Sequence, residues 1–430
     1  MVSTDDDLRS HREAAIRKLA ALPQSGDPLE FQLSLVEAHE LATGTDDDDA
    51  KYHRRLLRII ADGLAWRLLG QHTVRCLSNH PGKPAAIKKD DPDFQFVLKV
   101  ASAIRAEGAI PLICDLTNLL LVGDIIVVHR GGIEIVECKN SRDPQILERP
   151  GRLLRQRRRG HGAADYLSES VVRVGETGFK VAQDVNFPDP QYAAVSIAAE
   201  EADAAINGIG AVALGLKDYV VVIKSDSNPD LSAELIPDRP SFVEPIASMH
   251  SSFLRSPSWV APPVTAYEID PDLQIRLLEL DMMMVRICDL AILNEAGVEG
   301  PAPFTLKKRR GRYFLDLGSK REGAELSDRF IDGVLFAPIP VLETRDALVR
   351  YVNSIPSEAW EGGDVSEDAA RSVRGSVTPT NYVTAFRGET DEILLAMQAT
   401  EQLLPEGSDL LPEQRQHGSD DGANAPTSTP

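Results

Sequence analysis

The stretch GDIIVVHRGGIEIVECKN, residues 123 to 140, constrains the fold of this 430-residue chain more than any other segment. Two β-branched runs, IIVV and IEIV, flank the tetrapeptide HRGG, whose glycines can supply the positive φ angles that a tight hairpin turn requires. The stretch therefore predicts a β-hairpin. It also places one aspartate, one glutamate and one lysine in strands that are otherwise apolar.

These three ionisable residues fall on one face of the hairpin in either register that the turn allows. A two-residue loop that begins at Arg130 sets Asp124 opposite Glu137, and a loop that begins at Gly131 sets Asp124 opposite Lys139. Directly opposed residues share a face, and side chains along a strand alternate with a period of two. Three ionisable groups therefore converge at one end of an apolar sheet face.

Burial of these groups without partners would be costly, so their placement needs a reason. One reason is an internal salt bridge, in which Lys139 neutralises one carboxylate. The other is a functional site, because two carboxylates about a hairpin's width apart suit Mg²⁺, with Mn²⁺ as a substitute. A lysine beside them can orient or deprotonate a water, or neutralise charge that develops on a phosphate. This equipment suits metal-assisted phosphodiester hydrolysis.

The pattern D-x12-E-x-K of the hairpin and its flanking segments resemble the active-site region of the PD-(D/E)XK nuclease superfamily, which includes restriction-endonuclease-like and Holliday-junction-resolvase-like nucleases. Before the hairpin, DPDFQFVLKVASAIRAEG predicts an amphipathic helix that begins at Asp91 or Asp93, and AIPLICDL predicts a strand. After it, GRLLRQRRRGHGAADYL predicts a second helix. Helix, three strands, helix is the order of the family core, and it covers about residues 90 to 170. The resemblance implies an α/β fold with a restriction-endonuclease-like core.

The resemblance also implies roles for the hairpin residues. Asp124 and Glu137 would bind Mg²⁺, the backbone carbonyl of Cys138 would add an oxygen ligand, and Lys139 would position the attacking water. Gly123 stands where the name of the superfamily has proline, a substitution that the loose motif permits.

Further site residues are implied on the two helices of the family core. In many relatives the second helix carries a Gln or Arg that faces the site, and Gln156 with Arg152 occupies that place here. Some relatives also have an acid on the first helix. Glu107 is the glutamate available there, and it lies near the end of the predicted helix.

The formal charge of −20 is concentrated in the two ends of the chain. Residues 1 to 50 hold 12 acidic and 4 basic residues, residues 356 to 430 hold 14 and 4, and the body between them is close to neutral. Two basic clusters lie in that body, one at 149 to 161 with six arginines and one at 307 to 312. The second cluster could be a further contact or an exposed turn. For the first cluster the alternative is a solvated helix face, but arginine suits phosphate, and we expect substrate contacts from Arg152, Arg155, Arg157 and Arg158.

Several classes of protein find no support in this sequence. The four cysteines show no C-x2-C pairing, so neither a disulfide framework nor a zinc site is indicated. There is no run of about 18 apolar residues and no apolar stretch behind a basic N-terminus, so we expect a cytoplasmic protein without a membrane partner. The motifs of P-loop ATPases, serine hydrolases and zincins are absent from the sequence.

Four regions are predicted along the chain. They are an acidic helical N-terminal region at 1–50, a nuclease-like domain at 51–225, a C-terminal α/β region at 226–355 and an acidic, largely disordered tail at 356–430. Little in the tail could pack, so we expect it to be dispensable for folding.

Within these regions the apolar patterns predict individual elements. KDYVVVIKSD is predicted as a strand that, with the segment before it, could complete the core sheet. RYFLDL and DGVLFAPIPVL are predicted as strands of the C-terminal region. Helices are predicted at 8–22, 28–42, 51–70 and 272–297.

The sequence thus favours a Mg²⁺-dependent nuclease that acts on DNA in preference to RNA. One alternative is a catalytically inactive protein that keeps the nuclease fold and binds nucleic acid or serves in assembly. Another is a structural α/β protein with a buried ion pair. Association as a homodimer or with a partner protein stays open, and no residue decides between defence against foreign DNA and repair.

Overall fold

The computed structural model describes a mixed α/β protein. The described residues are 5–42, 48–78, 86–139, 160–164, 167–168, 171–174, 178–181, 189–227, 245–250, 262–294, 305–309, 312–316, 324–325, 338–354 and 380–386. Among them, no helix is long and apolar enough to cross a membrane.

Four helices precede the first strand, and the sequence predicted all four. They are α1 (Asp5–Ser25), α2 (Pro28–Leu41), α3 (Asp48–Ser78) and α4 (Pro92–Ala106). The starts of α2 and α4 are fixed in the same way, by an aspartate whose side chain accepts a backbone N–H and a proline in the first helical position. The capping residue of α4 is Asp91, one of the two starting points that the sequence allowed.

The first sheet contains the hairpin. Its strands are β1 (Ile110–Ile113), β2 (Ile125–His129), β3 (Gly132–Lys139) and, from the far end of the chain, β13 (Thr380–Phe386), in the order β1-β2-β3-β13. Neighbouring strands from β1 to β3 are antiparallel, and β13 is parallel to β3. β13 lies within residues 356–430, so this part of the predicted tail belongs to the sheet.

The hairpin takes the first of the two predicted registers. His129 pairs with Gly132 and Ile125 pairs with Val136, so the two-residue loop begins at Arg130. The ladder ends at that pair, and Asp124 directly precedes Ile125 as Glu137 directly follows Val136.

A second sheet of four strands follows. Its strands are β6 (Ile209–Gly215), β7 (Asp218–Lys224), β8 (Pro245–His250) and β9 (Met282–Asp289), in the order β6-β7-β9-β8, and α5 (Tyr192–Ala204) packs against β6 and β7. The strand predicted for KDYVVVIKSD is present, but it belongs to this sheet. The expectation that it could complete the core sheet is wrong, because β13 occupies the position next to β3.

The long helix predicted at 272–297 is wrong. The segment instead forms α6 (Pro271–Leu278), a turn in which Leu280 has a φ of +66°, and strand β9. β9 lies between β7 and β8, most of its residues are buried, and apolar side chains stand on both of its faces. A strand that is apolar on both faces has no period-two pattern, and its sequence resembles that of a buried helix.

The remaining elements are smaller. β4 (Val171–Val174) pairs with β5 (Gly178–Val181), and a three-stranded sheet contains β10 (Thr305–Arg309), β11 (Arg312–Asp316) and β12 (Ala324–Glu325). β11 confirms the strand predicted for RYFLDL. Helix α7 (Val341–Ser354) begins where the strand DGVLFAPIPVL was expected to end. Residues 332–337 of that segment lie outside the described part of the chain.

One apolar core connects the N-terminal helices with both large sheets. Its buried members include Ile60 on α3, Ile126 on β2, Val222 on β7, Leu278 on α6 and Ala385 on β13. The core is therefore continuous across the predicted regional boundaries, and the boundary at residue 225 falls between β7 and its neighbour β9.

Candidate active site

The backbone of Asp124 is held on both sides by the first sheet. Its carbonyl accepts from the Cys114 amide at 2.9 Å, and its amide donates to the Val136 carbonyl at 2.8 Å. The side chain is also held, because the Cys138 amide donates to Asp124 Oδ2 at 2.6 Å. These three hydrogen bonds fix the position of the carboxylate before any ligand binds.

Gly123 permits the tight approach of Asp124 to β3. Its φ is +76°, and a Cβ atom added there would lie 2.8 Å from Ile135 Cγ2 and 3.0 Å from the Val136 carbonyl oxygen. Proline cannot adopt this φ, since its ring fixes φ near −65°. The glycine that stands at position 123 in place of proline therefore has a local cause, which is the geometry of the turn into β2.

Glu137 and Lys139 lie on the same face of β3 and contact each other. Lys139 Nζ forms an ion pair with Glu137 Oε1. Glu137 is only 2% exposed, and its second oxygen, Oε2, is buried without a hydrogen-bond partner in the described structure. In Glu137, therefore, one carboxylate oxygen is paired with the Lys139 ammonium and the other is buried without a hydrogen bond from the described residues.

The pKa of Asp124 is raised to about 7. Burial is the main cause, because it disfavours the charged form, and the negative charge of Glu137 adds to it. The Cys138 amide and the Lys139 ammonium act in the opposite direction without cancelling the shift. In the absence of a cation, the pair therefore favours a proton on Asp124 near neutral pH.

The donors at this end of the hairpin are two carboxylates, Asp124 and Glu137. In the described ranges, no three His, Cys, Asp or Glu side chains are arranged to hold a metal ion. Mg²⁺ commonly binds through one or two carboxylates and completes its shell with waters and phosphate oxygens. Two carboxylates, one with a buried oxygen that lacks a partner, fit that requirement on donor chemistry.

A third acid near the pair was not identified from the sequence. Asp115 lies in the short 3₁₀ turn Cys114–Leu116 directly after β1, and its charge contributes to the raised pKa of Asp124. The available signal was its place at the end of a strand that neighbours the hairpin.

The structure does not bring Glu107 to the site. Glu107 caps the C-terminal end of α4 and precedes β1 at the end where Ile110 pairs with Val128. Asp124 adjoins the opposite end of β1. Glu107 thus lies at the end of β1 away from Asp124.

The other implied residues cannot be placed. Residues 140–159 lie outside the described part of the chain. They include the predicted side-chain contacts Arg152, Arg155, Gln156, Arg157 and Arg158.

The end of the arginine-rich segment is described, and it packs on the carboxylate face. Residues 160 to 164 are helical. A Cβ at Gly160 would lie 2.2 Å from the Tyr382 ring, and the rings of His161 and Tyr382 have centroids 4.2 Å apart. Tyr382 is in register with Ile135, which faces the same side of the sheet as Glu137. The segment that follows the arginines thus covers part of the face that carries the site.

The second basic cluster coincides with a hairpin. Lys307 to Arg309 end β10, and Arg312 begins β11, with Arg309 and Arg312 paired. Of the two interpretations left open by the sequence, this backbone suits the turn.

No protein-family model, curated protein or solved structure matches this chain.

Proposed function

We propose that this protein is a metal-dependent nuclease that hydrolyses phosphodiester bonds of DNA, with its site at Asp124, Glu137 and Lys139. The observation that carries the proposal is that Asp124 and Glu137 adjoin the last pair of the hairpin, Ile125 with Val136, and that Glu137 contacts Lys139. Three ionisable groups on a sheet face of this kind are costly to bury. A site that needs them accounts for that cost.

The order of elements supports a restriction-endonuclease-like core. Helix α4 is followed by the three antiparallel strands β1, β2 and β3, and residues 160–164 and 167–168 are helical. This is the order helix, three strands, helix that the resemblance to PD-(D/E)XK nucleases implies. The proposed nuclease-like core thus runs from α4 to β3 and includes the helical residues that pack on Tyr382.

The two carboxylates would hold Mg²⁺, or Mn²⁺ in its place, with the Cys138 carbonyl as a further oxygen ligand. When bound, the cation would act as a Lewis acid on the phosphate and stabilise negative charge. Asp124 must lose its proton to serve as a ligand, and the fixed hydrogen bond from the Cys138 amide keeps its carboxylate in place. Glu137 would use Oε2, which the described protein atoms leave without a hydrogen bond.

Lys139 is suited to position the attacking water. Its side chain is 17% exposed, whereas that of Glu137 is 3% exposed, so the ammonium lies between the buried carboxylate and solvent. It can orient a water whose oxygen bonds to phosphorus while the ester P–O bond breaks and a proton passes to the leaving oxygen. Gln156 would serve as a catalytic residue that touches the substrate or braces the site, and the arginines at 152, 155, 157 and 158 would bind the substrate.

The ion pair itself favours a second candidate. Lys139 and Glu137 are already in contact, as expected for a structural α/β protein in which the lysine only compensates a buried acid. A protein that keeps the fold and binds nucleic acid without cleaving it would show the same contact. Cleavage and cation binding separate these candidates.

The test is a cleavage assay of the full-length chain on supercoiled, linear and single-stranded DNA and on RNA, with Mg²⁺, Mn²⁺ or EDTA. We expect cleavage of DNA with either cation, none in EDTA, and loss of at least about 100-fold in Asp124→Asn and Glu137→Gln, as for groups that act directly on the reacting phosphate.

Glu134→Gln is the matched control for this assay. Glu134 is a buried glutamate on the same strand as Glu137 but on the opposite face, next to His129. It should cleave at the parent rate. Equal loss in Glu134→Gln and Glu137→Gln would assign the effect to the fold, and absence of cleavage under every condition would refute the nuclease.

A further inference from the structure

The loop between β1 and β2 is held by helix α3, which lies in the N-terminal part of the chain. Asp62 of α3 accepts three hydrogen bonds from this loop. Its Oδ1 accepts from the Asn118 amide at 2.8 Å and from the Leu119 amide at 3.2 Å, and its Oδ2 accepts from Asn118 Nδ2 at 2.9 Å. A single carboxylate thus satisfies two consecutive backbone amides of the loop.

Arg58 binds the same loop one helical turn earlier. Its Nη1 donates to the carbonyl of Asp115 at 2.5 Å and to that of Thr117 at 3.3 Å. Residues four positions apart share a face of a helix, so Arg58 and Asp62 form one contact surface. We call these two residues the α3 clasp.

The α3 clasp is costly to build. Asp62 is fully buried, and burial raises its pKa to about 7 in spite of the hydrogen bonds that it accepts. A buried acid whose hydrogen bonds are satisfied rigidifies the groups that it joins. The partners here are the residues that lead from β1 to the site.

The chain between the α3 clasp and the site has little freedom. Leu120 and Val122 are buried in the core, Gly123 has a positive φ against β3, and Asp124 follows at once. On the other side of the loop, the Cys114 amide binds the Asp124 carbonyl. A shift of residues 115–119 would therefore be transmitted to Asp124 from both directions.

We propose that Asp62 and Arg58 are positioning residues of the candidate site, which set the place of the Asp124 carboxylate through the loop between β1 and β2. The expected effect of these residues on cation binding rests on the proposed function. It also makes helix α3 a working part of the site.

The experiment compares Asp62→Asn with Asp218→Asn in the full-length chain. Asn keeps the shape of Asp62 but removes its negative charge, so the backbone amides of Asn118 and Leu119 lose a charge-assisted acceptor. Asp218 is the matched control, since it is also buried and accepts a backbone amide, that of Val341 at 2.9 Å, but it lies in the second sheet. Both variants should lower Tm, so Tm alone does not distinguish a positioning role from a structural one.

Two readouts distinguish them. The first is Mn²⁺ affinity by calorimetry with the metal alone, where we expect about tenfold weaker binding in Asp62→Asn and no change in Asp218→Asn, as for residues that orient metal ligands. The second is hydrogen exchange of the Cys114 and Asp124 amides, which should be faster only in Asp62→Asn. Where Asp62→Asn does not fold, Asn118→Ala removes one of the three bonds and is read in the same way.

The outcomes separate this inference from the proposed function. Parent affinity for Mn²⁺ in Asp62→Asn, with a parent protein that binds the ion, would overturn the positioning role. If the parent protein binds no Mn²⁺, the metal site is refuted, and the positioning role of the α3 clasp is then decided by hydrogen exchange alone. Unchanged exchange of the Cys114 and Asp124 amides overturns the positioning role, and faster exchange in Asp62→Asn but not in Asp218→Asn supports it.

Discussion

Lys139 forms an ion pair with Glu137, its neighbour two positions earlier on β3, and the charge of that glutamate acts on Asp124 at the end of the hairpin. One positive charge therefore acts on two acids, the buried Glu137 and the half-buried Asp124. The raised pKa of Asp124 follows from burial and from the charge of Glu137 that the lysine does not fully offset. A structural ion pair and a cation site both contain this contact. They differ when the lysine is removed, because only a cation site can bind Mg²⁺ in its place.

Replacement of Lys139 by alanine tests that difference. The variant leaves Glu137 buried without its cation, and loss of one partner of a buried pair costs about 3–5 kcal/mol. In a cation site, Mg²⁺ can occupy the place and stabilise the folded state by binding. We expect a lower Tm in EDTA, recovery in millimolar Mg²⁺, and cation binding that persists in calorimetry while turnover is lost.

Glu134→Gln is the control, because it removes a buried charge from the same strand on its opposite face. Its Tm should not respond to Mg²⁺ more than that of the parent. A Lys139→Ala protein whose Tm is equally low with and without Mg²⁺ would indicate the structural ion pair.

The pKa of Asp124 sets a pH dependence of stability. The folded state without cation holds a proton up to about pH 7, whereas the unfolded chain releases it near its usual pKa of 3.8. Between these values the folded state binds more protons, so the unfolding free energy falls as pH rises, by roughly 1.4 kcal/mol for each unit of pKa difference. Asp124→Asn removes this contribution.

Urea unfolding in EDTA between about pH 5 and pH 8 measures the effect. The variant should lose less stability than the parent as pH rises to about 7. Asp203→Asn is the control, because a hydrogen bond from Arg276 lowers the pKa of this acid and its contribution changes only at lower pH. Parallel curves for the parent and Asp124→Asn would contradict the assigned proton.

Two glycines with positive φ allow a test of the approach of Gly123 to β3. At Gly108, φ is +87° and an added Cβ meets no atom within 4 Å, whereas at Gly123 it meets Ile135 and Val136. Gly108→Ala should cost about 1–2 kcal/mol, the strain of a left-handed backbone. Gly123→Ala should cost more and should also weaken Mn²⁺ binding, since Asp124 must move. Equal costs in urea unfolding would show that β3 tolerates the methyl group.

The hairpin, its charged face and the helices before it could be predicted because their signals are local. β-Branched runs around HRGG fix the hairpin, and the capping aspartate and the proline after it fix the start of α4. The choice between the two registers could not be made from the sequence. It depends on contacts such as that between the Asp124 amide and Val136, which belong to the folded sheet.

The failures concern residues that act at long range. β13 joins β3 across more than 200 residues of chain, and no local pattern indicates which sheet a distant strand will enter. β9 is buried on both faces, which removes the alternation that would have identified it. Asp62 lies in an ordinary helical pattern, and its role depends on amides from a loop more than 50 residues away.

The position of β13 changes what truncation should do. The expectation from composition is that removal of residues 356–430 leaves folding intact, but this cut also removes the strand that pairs with β3 and supplies Tyr382 and Ala385. We expect truncation after residue 355 to lower Tm by roughly 10 °C and to promote aggregation through the exposed β3 edge. Truncation after residue 387 keeps β13 and is the control, with Tm within a few degrees of the parent. Equal Tm values for both truncations would mean that β13 contributes nothing to the sheet.

The arginine-rich segment leads to a prediction about salt. Gly160 and His161, which directly follow its arginines, pack against Tyr382 on the carboxylate face. Each phosphate that a protein neutralises on duplex DNA adds about 0.9 to the slope of log affinity against log salt. Replacement of Arg155, Arg157 and Arg158 by alanine should therefore flatten that slope by up to about 2.7, measured with a catalytically inactive Glu137→Gln background in EDTA.

The triple change of Lys307, Lys308 and Arg309 removes the same charge from the β10–β11 hairpin and should change the slope much less. If both triple variants change it equally, the effect is one of net charge, and if the arginine variant leaves it unchanged, the segment is a solvated helix face.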